Sequence, residues 1–127
     1  MTTRKLVLVV DDDPSILGAV ERLLRVHGFD AEVFNTVENF LARANLRGAT
    51  CLVLDIHLNG MSGIELRRQL TLSGIELPVI FITANDSEAT RKAAMEVGCA
   101  AYLPKPFQTK LLVDAIESAL GQTRSVG

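Results

Sequence analysis

The sequence predicts an α/β fold, five βα units building a doubly wound, five-stranded parallel sheet with helices on both faces. Three observations lead there. Five short apolar runs, Leu6–Val10 and residues 31–34, 51–54, 78–82 and 100–103, alternate with segments whose apolar residues recur at helical spacing. The first run, LVLVV, is continuous and β-branched, as expected of a strand covered on both sides. The composition is 48% hydrophobic but only 5% aromatic, so the core must be aliphatic. A chain of 127 residues fits one domain, with a core over about 5–120 and residues 121–127 as a tail or the start of a linker.

Each element has its own local reason. Asp13 is placed to cap the first helix, and Pro14 suits the first helical position. That helix runs to about His27 and stops at Gly28, with Ile16, Leu17, Val20, Leu23 and Leu24 on its apolar face. Asn35, with Glu38 three residues on, reads as a capping box for a second helix reaching about Ala44. Asn59-Gly60 and Ser62-Gly63 mark turns before a third helix over 64–72. Asp86 or Ser87 caps the fourth helix, which ends at Gly98. It is apolar only through Ala89, Ala93, Ala94 and Val97, so it should be the most loosely held. The fifth helix covers about 108–120, with Leu111, Leu112, Ala115, Ile116 and Ala119 inward.

Several function classes are disfavoured. A net charge of −2 argues against direct nucleic-acid binding. No apolar run approaches the roughly 20 residues of a membrane span. Residues 1–5 carry no apolar leader, so a cytoplasmic protein is expected. Cys51 and Cys99 have no metal-site spacing and read as reduced thiols acting as small hydrophobes.

The polar residues fall in a pattern. The first strand is followed by Asp11 and Asp12, the third by Asp55, the fourth by Thr83, and the fifth leads to Lys105. In an open parallel sheet these carboxyl ends are where ligands bind. Three carboxylates about 4 Å apart repel by roughly 4 kcal/mol per pair at an effective dielectric of 20. A bound divalent cation or a proton must relieve that. A carboxylate, a hard cation, a lysine and a hydroxyl together make a phosphoryl-transfer site with a carboxylate nucleophile. Singly these residues are ordinary: Asp55 a strand-end acid, Lys105 a surface lysine, Tyr102 a half-buried strand aromatic. Asp13 is better read as a cap than a ligand, and His27 as a basic residue favoured by the helix dipole.

The strings LVLVVDDDPSIL, LVLDIHLNGMSGIEL, VIFITAND and AYLPKPF resemble the four signature segments of the response-regulator receiver family, in order and over about residues 5–120. The resemblance implies a flavodoxin-like strand order 2-1-3-4-5. It also implies a switch that catalyses only its own phosphorylation and slow dephosphorylation. Asp55 would take a phosphoryl group from a sensor histidine kinase or a histidine phosphotransfer protein. Asp12, Asp55 and the main-chain carbonyl of His57 would ligate Mg2+ (or Mn2+), with Asp11 acting mainly through water. Lys105 would pair with the phosphoryl oxygens and Thr83 would bond one of them. Tyr102 would turn inward when Thr83 moves, and the Lys105–Pro106 bond would be cis. Ala84 would leave the site accessible, and His57 with Asn85 would tune the lifetime of the phosphorylated state. The fourth helix, fifth strand and fifth helix would form the output face, with a phosphorylation-dependent dimer as one outcome. Asn59 stands where the family usually has proline. The rival readings are a haloacid-dehalogenase-type phosphohydrolase, a non-phosphorylated receiver scaffold, and a receiver module of a longer regulator or hybrid kinase.

Overall fold

The structure, a computed structural model, describes residues 4–122. Five strands alternate with five helices: β1 (Leu6–Val10), α1 (Pro14–Val26), β2 (Asp30–Phe34), α2 (Val37–Arg43), β3 (Ala49–Asp55), α3 (Gly63–Leu72), β4 (Val79–Thr83), α4 (Glu88–Val97), β5 (Ala101–Pro104) and α5 (Thr109–Gln122). The strands form one sheet in the order β2-β1-β3-β4-β5, every pair parallel. This is the predicted doubly wound, flavodoxin-like topology. The chain steps outward from β1 to β2, then crosses back to β3, so the order reverses between β1 and β3.

The continuous apolar runs are explained by two cores, one on each face of the sheet. Along β1, Leu8 and Val10 join the core that also holds Phe40, Leu66 and Phe81. Val7 and Val9 join the other core, with Leu24, Leu112 and Ile116. Alternate residues of a strand point to opposite faces, so a strand covered on both must be apolar throughout. One aromatic pair stiffens the β2–α2 corner: Phe34 and Phe40 meet edge to face, with centroids 5.6 Å apart.

Four local expectations are corrected. The cap of α2 is Thr36, not Asn35: its hydroxyl accepts from the Asn39 amide at 3.0 Å. Starting the helix at Val37 buries both Val37 and Phe40, and Glu38 then lies one position too early for a capping box. In α4 only Ala94 is fully buried, and Ala89 is exposed. In α5, Leu111 is 48% exposed while Val113 is buried. Five residues separate Leu111 from the buried Ile116, about 140° around the helix, whereas Val113 is within about 60°. Finally, α5 continues through residues 121 and 122 instead of giving way to the expected tail there; residues 123–127 lie outside the described part.

The capping of α1 agrees with expectation. Asp13 accepts from the Ser15 amide at 2.9 Å, Pro14 is first in the helix, and Gly28 follows the cap with φ of 91°.

Candidate functional site

Strand register brings the site together. Val10 pairs with Leu54, so Asp11 and Asp55, one step further on, face each other across the switch point. Asp55 is level with Ile82, so Thr83 lies one residue beyond it on β4. Thr83 is level with Pro104, so Lys105 follows on β5. Asp11, Asp55 and Thr83 are the buried polar side chains among the described residues, in an otherwise apolar interior. Burying a charge is costly unless it is paired, and the pairing is local. The Lys105 ammonium donates to Asp11 Oδ2 at 2.7 Å and to Asp55 Oδ2 at 3.4 Å.

The turns after the strands hold the other carboxylate oxygens. The Asp13 amide donates to Asp11 Oδ1 at 2.9 Å, and the His57 amide to Asp55 Oδ1 at 3.1 Å. The second bond pins residue 57 against Asp55, while the His57 side chain is exposed. Asp12 is exposed at the mouth, and carboxylate oxygens of Asp11, Asp12 and Asp55 lie within 4.8 Å of one another. Gly63 lets the start of α3 approach this point. A Cβ there would run into the Asp55 carbonyl oxygen, and the Gly63 amide donates to the Ile56 carbonyl at 2.9 Å.

The electrostatics follow from burial and pairing. Burial pushes the Asp11 carboxyl above its usual range, against the opposing hydrogen bond from Lys105. Burial also draws the Lys105 ammonium down, but its bond to Asp11 and the charges of Asp11 and Asp55 outweigh that, so its pKa is raised and it stays charged. Lys105 thus pairs with two of three clustered carboxylates, and the cluster keeps a negative excess. An oxygen-only donor set with this charge suits a hard divalent cation.

Thr83 Oγ1 accepts from the Asn85 amide at 3.0 Å, which ties it to the loop before α4. Lys105–Pro106 is cis. Tyr102 is already buried, 8% exposed. Its hydroxyl donates to Asp86 Oδ1 at 2.9 Å, and the Arg91 guanidinium lies 4.7 Å from its ring centroid. Sequence reading took Asp86 only as a possible cap, and Ser87 is the cap. The sole signal was an acid and an arginine five residues apart, which says nothing of a tyrosine on another strand. Beside the acidic cluster, Ala84, Lys105, Pro106 and Phe107 face Ile16, Val20 and Leu23 of α1 across an apolar groove of about 450 Å3.

A sheet of this order, carrying carboxylates, a hydroxyl and a lysine at adjoining carboxyl ends, defines a doubly wound α/β protein with a site suited to cations and phosphoryl groups. The sequence model described as the response regulator receiver domain matches residues 7–117, and the chain belongs to that family. It is 33% identical over 114 residues to the response regulator protein TodT of Pseudomonas putida, covering 90% of this chain and 50% of that one. It is 36% identical over 114 residues to the sensory transduction protein RegX3 of Mycolicibacterium smegmatis, again 90% of this chain and 50% of the relative. Among solved structures, the response regulator StyR superposes with a TM-score of 0.86 at 41% identity, over 96% of this chain and 62% of that one. A CheY-like receiver domain protein from Methanospirillum hungatei superposes with a TM-score of 0.86 at 26% identity, over 96% and 98%. The chain spans about half the length of the curated relatives it matches. Its family is one of signalling switches, which goes against the phosphohydrolase alternative. No helix among the described residues is long and apolar enough to cross a membrane.

Proposed function

We propose that this chain is a phosphoacceptor receiver domain, a single domain with its core over about residues 5–120, that carries the phosphoryl group on Asp55. The observation that carries the reading is the placement of the Asp55 carboxylate. One oxygen is held by the His57 amide, the other faces Lys105, and Asp11 and Asp12 stand alongside. In the transfer step an Asp55 oxygen attacks the phosphorus of a phosphohistidine. A P–O bond forms, the P–N bond breaks, and the imidazole nitrogen leaves with the electron pair and takes a proton. Lys105 sits where it can neutralise charge on the transferring oxygens. Asp12, Asp55 and the His57 carbonyl would hold Mg2+ or Mn2+, with Asp11 behind them. When bound, the cation supplies charge neutralisation for the phosphoryl oxygens. Lys105, paired with both Asp11 and Asp55, relieves the repulsion between their carboxylates.

The donor is a sensor histidine kinase or a histidine phosphotransfer protein. The apolar groove between α1 and the Lys105–Phe107 segment offers it a surface that reaches the site past the small, exposed Ala84. Thr83 is the proposed readout, and α4, β5 and α5 the output face. Exposed Met95 and Leu111 on that face suit a partner or a phosphorylation-dependent second copy. Shifting a two-state switch from 1:99 to 99:1 takes roughly 5.5 kcal/mol, and bonds from a dianion to Thr83 and Lys105, about 1.5–3 kcal/mol each, are of that size. Coverage of only half of each curated relative supports a receiver module of a longer regulator. The unpaired cysteines accord with a cytoplasmic protein.

Acetyl phosphate with Mg2+ tests the reading. Intact-mass analysis is expected to show one added phosphoryl group, absent from Asp55→Asn and absent when the cation is chelated. A group that persists in Asp55→Asn would overturn it.

A further inference from the structure

Tyr102 carries more restraint than its strand position requires. A tyrosine near the end of β5 can bury its ring against the sheet or turn it to solvent, and here the ring is in. Its hydroxyl donates to Asp86 Oδ1 at 2.9 Å. Asp86 is itself fixed, because Arg91 Nη2 donates to both of its carboxylate oxygens, at 3.3 and 3.1 Å. The same guanidinium lies over the Tyr102 ring at 4.7 Å. Three side chains therefore close a loop of contacts between β5, the residue before the α4 cap, and the first turn of α4. Thr83 is not among them: its hydroxyl is held separately by the Asn85 amide. The ring is thus held inward by residues that do not touch the phosphoacceptor site.

We propose that Asp86 is a positioning residue that latches Tyr102 in its buried orientation before any phosphoryl group arrives, with Arg91 as the cover that fixes Asp86 and shields the ring. The latch joins the start of α4 to β5. The unmodified protein then already presents its α4–β5 surface in the ring-in arrangement. The signalling meaning of the latch rests on the receiver reading; the latch itself does not.

The chain has one tyrosine and no tryptophan, so phenol spectroscopy reports on Tyr102 alone. The groups facing the phenol are Asp86 and Arg91, with the Ser87 main chain. Burial comes first in raising its pKa, the bond to Asp86 and the Asp86 charge add to that, and Arg91 opposes. Phenolate absorbance during an alkaline titration and acrylamide quenching of tyrosine fluorescence are measured on the full chain. Wild type should titrate above the ordinary tyrosine range and resist quenching. Asp86→Ala should titrate lower and be quenched severalfold more strongly. Asp86→Asn, which keeps an acceptor oxygen without the charge, should titrate lower yet resist quenching as wild type does. Arg91→Gln should titrate higher, because the carboxylate stays and the cation goes.

General loosening would lower the midpoint in all three variants, and that result overturns the proposal, as does an unchanged Asp86→Ala. Acetyl phosphate and Mg2+ are then added to the wild type. Intact-mass analysis should then show one added phosphoryl group. If no phosphoryl group is taken up, the receiver reading fails, and the titrations still decide the latch.

Discussion

At the scale of single residues, the interior admits very little polarity, and what it admits is paired. Asp11 has no exposed surface, and Lys105 bridges it to Asp55. Replacing Lys105 by Met keeps the bulk but leaves two carboxylates facing each other. We expect a loss of about 2 kcal/mol in cation-free buffer, read from urea unfolding. Added Mg2+ should stabilise the variant more than the wild type. Tyr102 gives a pH prediction. Its pKa in the folded chain is raised by burial first, then by Asp86. The folded state therefore holds the phenol proton more tightly than the unfolded chain does. That contribution to stability is complete below the ordinary tyrosine value of about 10 and is lost as pH rises through the higher folded value. Unfolding midpoints of wild type and Tyr102→Phe should converge over that alkaline window, since the variant has no such proton to lose. Lys105 titrates in the same direction in both proteins and cancels in the difference. Cys51 is fully buried and its thiol is pushed up to about 12. It should resist alkylation near neutral pH until the chain unfolds, while Cys99, only partly buried, reacts first.

At the scale of elements, helix faces decide what a substitution costs. Leu112 has no exposed surface in the second core and Leu111 faces solvent, although the two are neighbours in sequence. Leu112→Ala should cost about 2–4 kcal/mol and Leu111→Ala less than about 0.5 kcal/mol, both by urea denaturation with unchanged slope. The sequence spacing of α5 places both leucines inward, because a stripe of Leu, Val, Ile and Ala leaves two overlapping faces. Packing against β3 and α1 selects the one centred on Ile116. Similarly, Asn35 and Thr36 are both good caps, and burial of Phe40 and Val37 selects Thr36. Helix α4 has small inward residues, and only Ala94 is buried. Amide exchange should open α4 before α1 or α3. Gly63 is needed by the site: Gly63→Ala should displace the start of α3 from Asp55, seen as slower phosphorylation by acetyl phosphate together with lower stability.

At the scale of the whole molecule, the parallel sheet does two things at once. Its strands need continuous apolar runs, because both faces are covered, and this made them easy to find from Leu6 to Leu103. Its carboxyl ends share one edge, so whatever polar residue follows each run must meet the others there. Asp11, Asp55, Thr83 and Lys105 therefore group together from chain order alone. Because α4 and β5 adjoin that edge, a charge added at Asp55 lies close to the α4–β5–α5 surface without a long path between them.

The fold class, the five βα units and the strand-end residues are legible in the chain, because hydrophobic periodicity and residue order are enough to say which residues share the edge of a parallel sheet. The remaining features depend on long-range contacts. Register set Asp11 opposite Asp55 and brought Lys105 closer to Asp11 than to Asp55, at 2.7 against 3.4 Å. Packing chose Thr36 over Asn35 and Val113 over Leu111. The contact between Asp86, Arg91 and Tyr102 joins residues up to 16 positions apart on separate elements. Local patterns report the path of the backbone, but the meeting of two side chains depends on how the elements are set against each other.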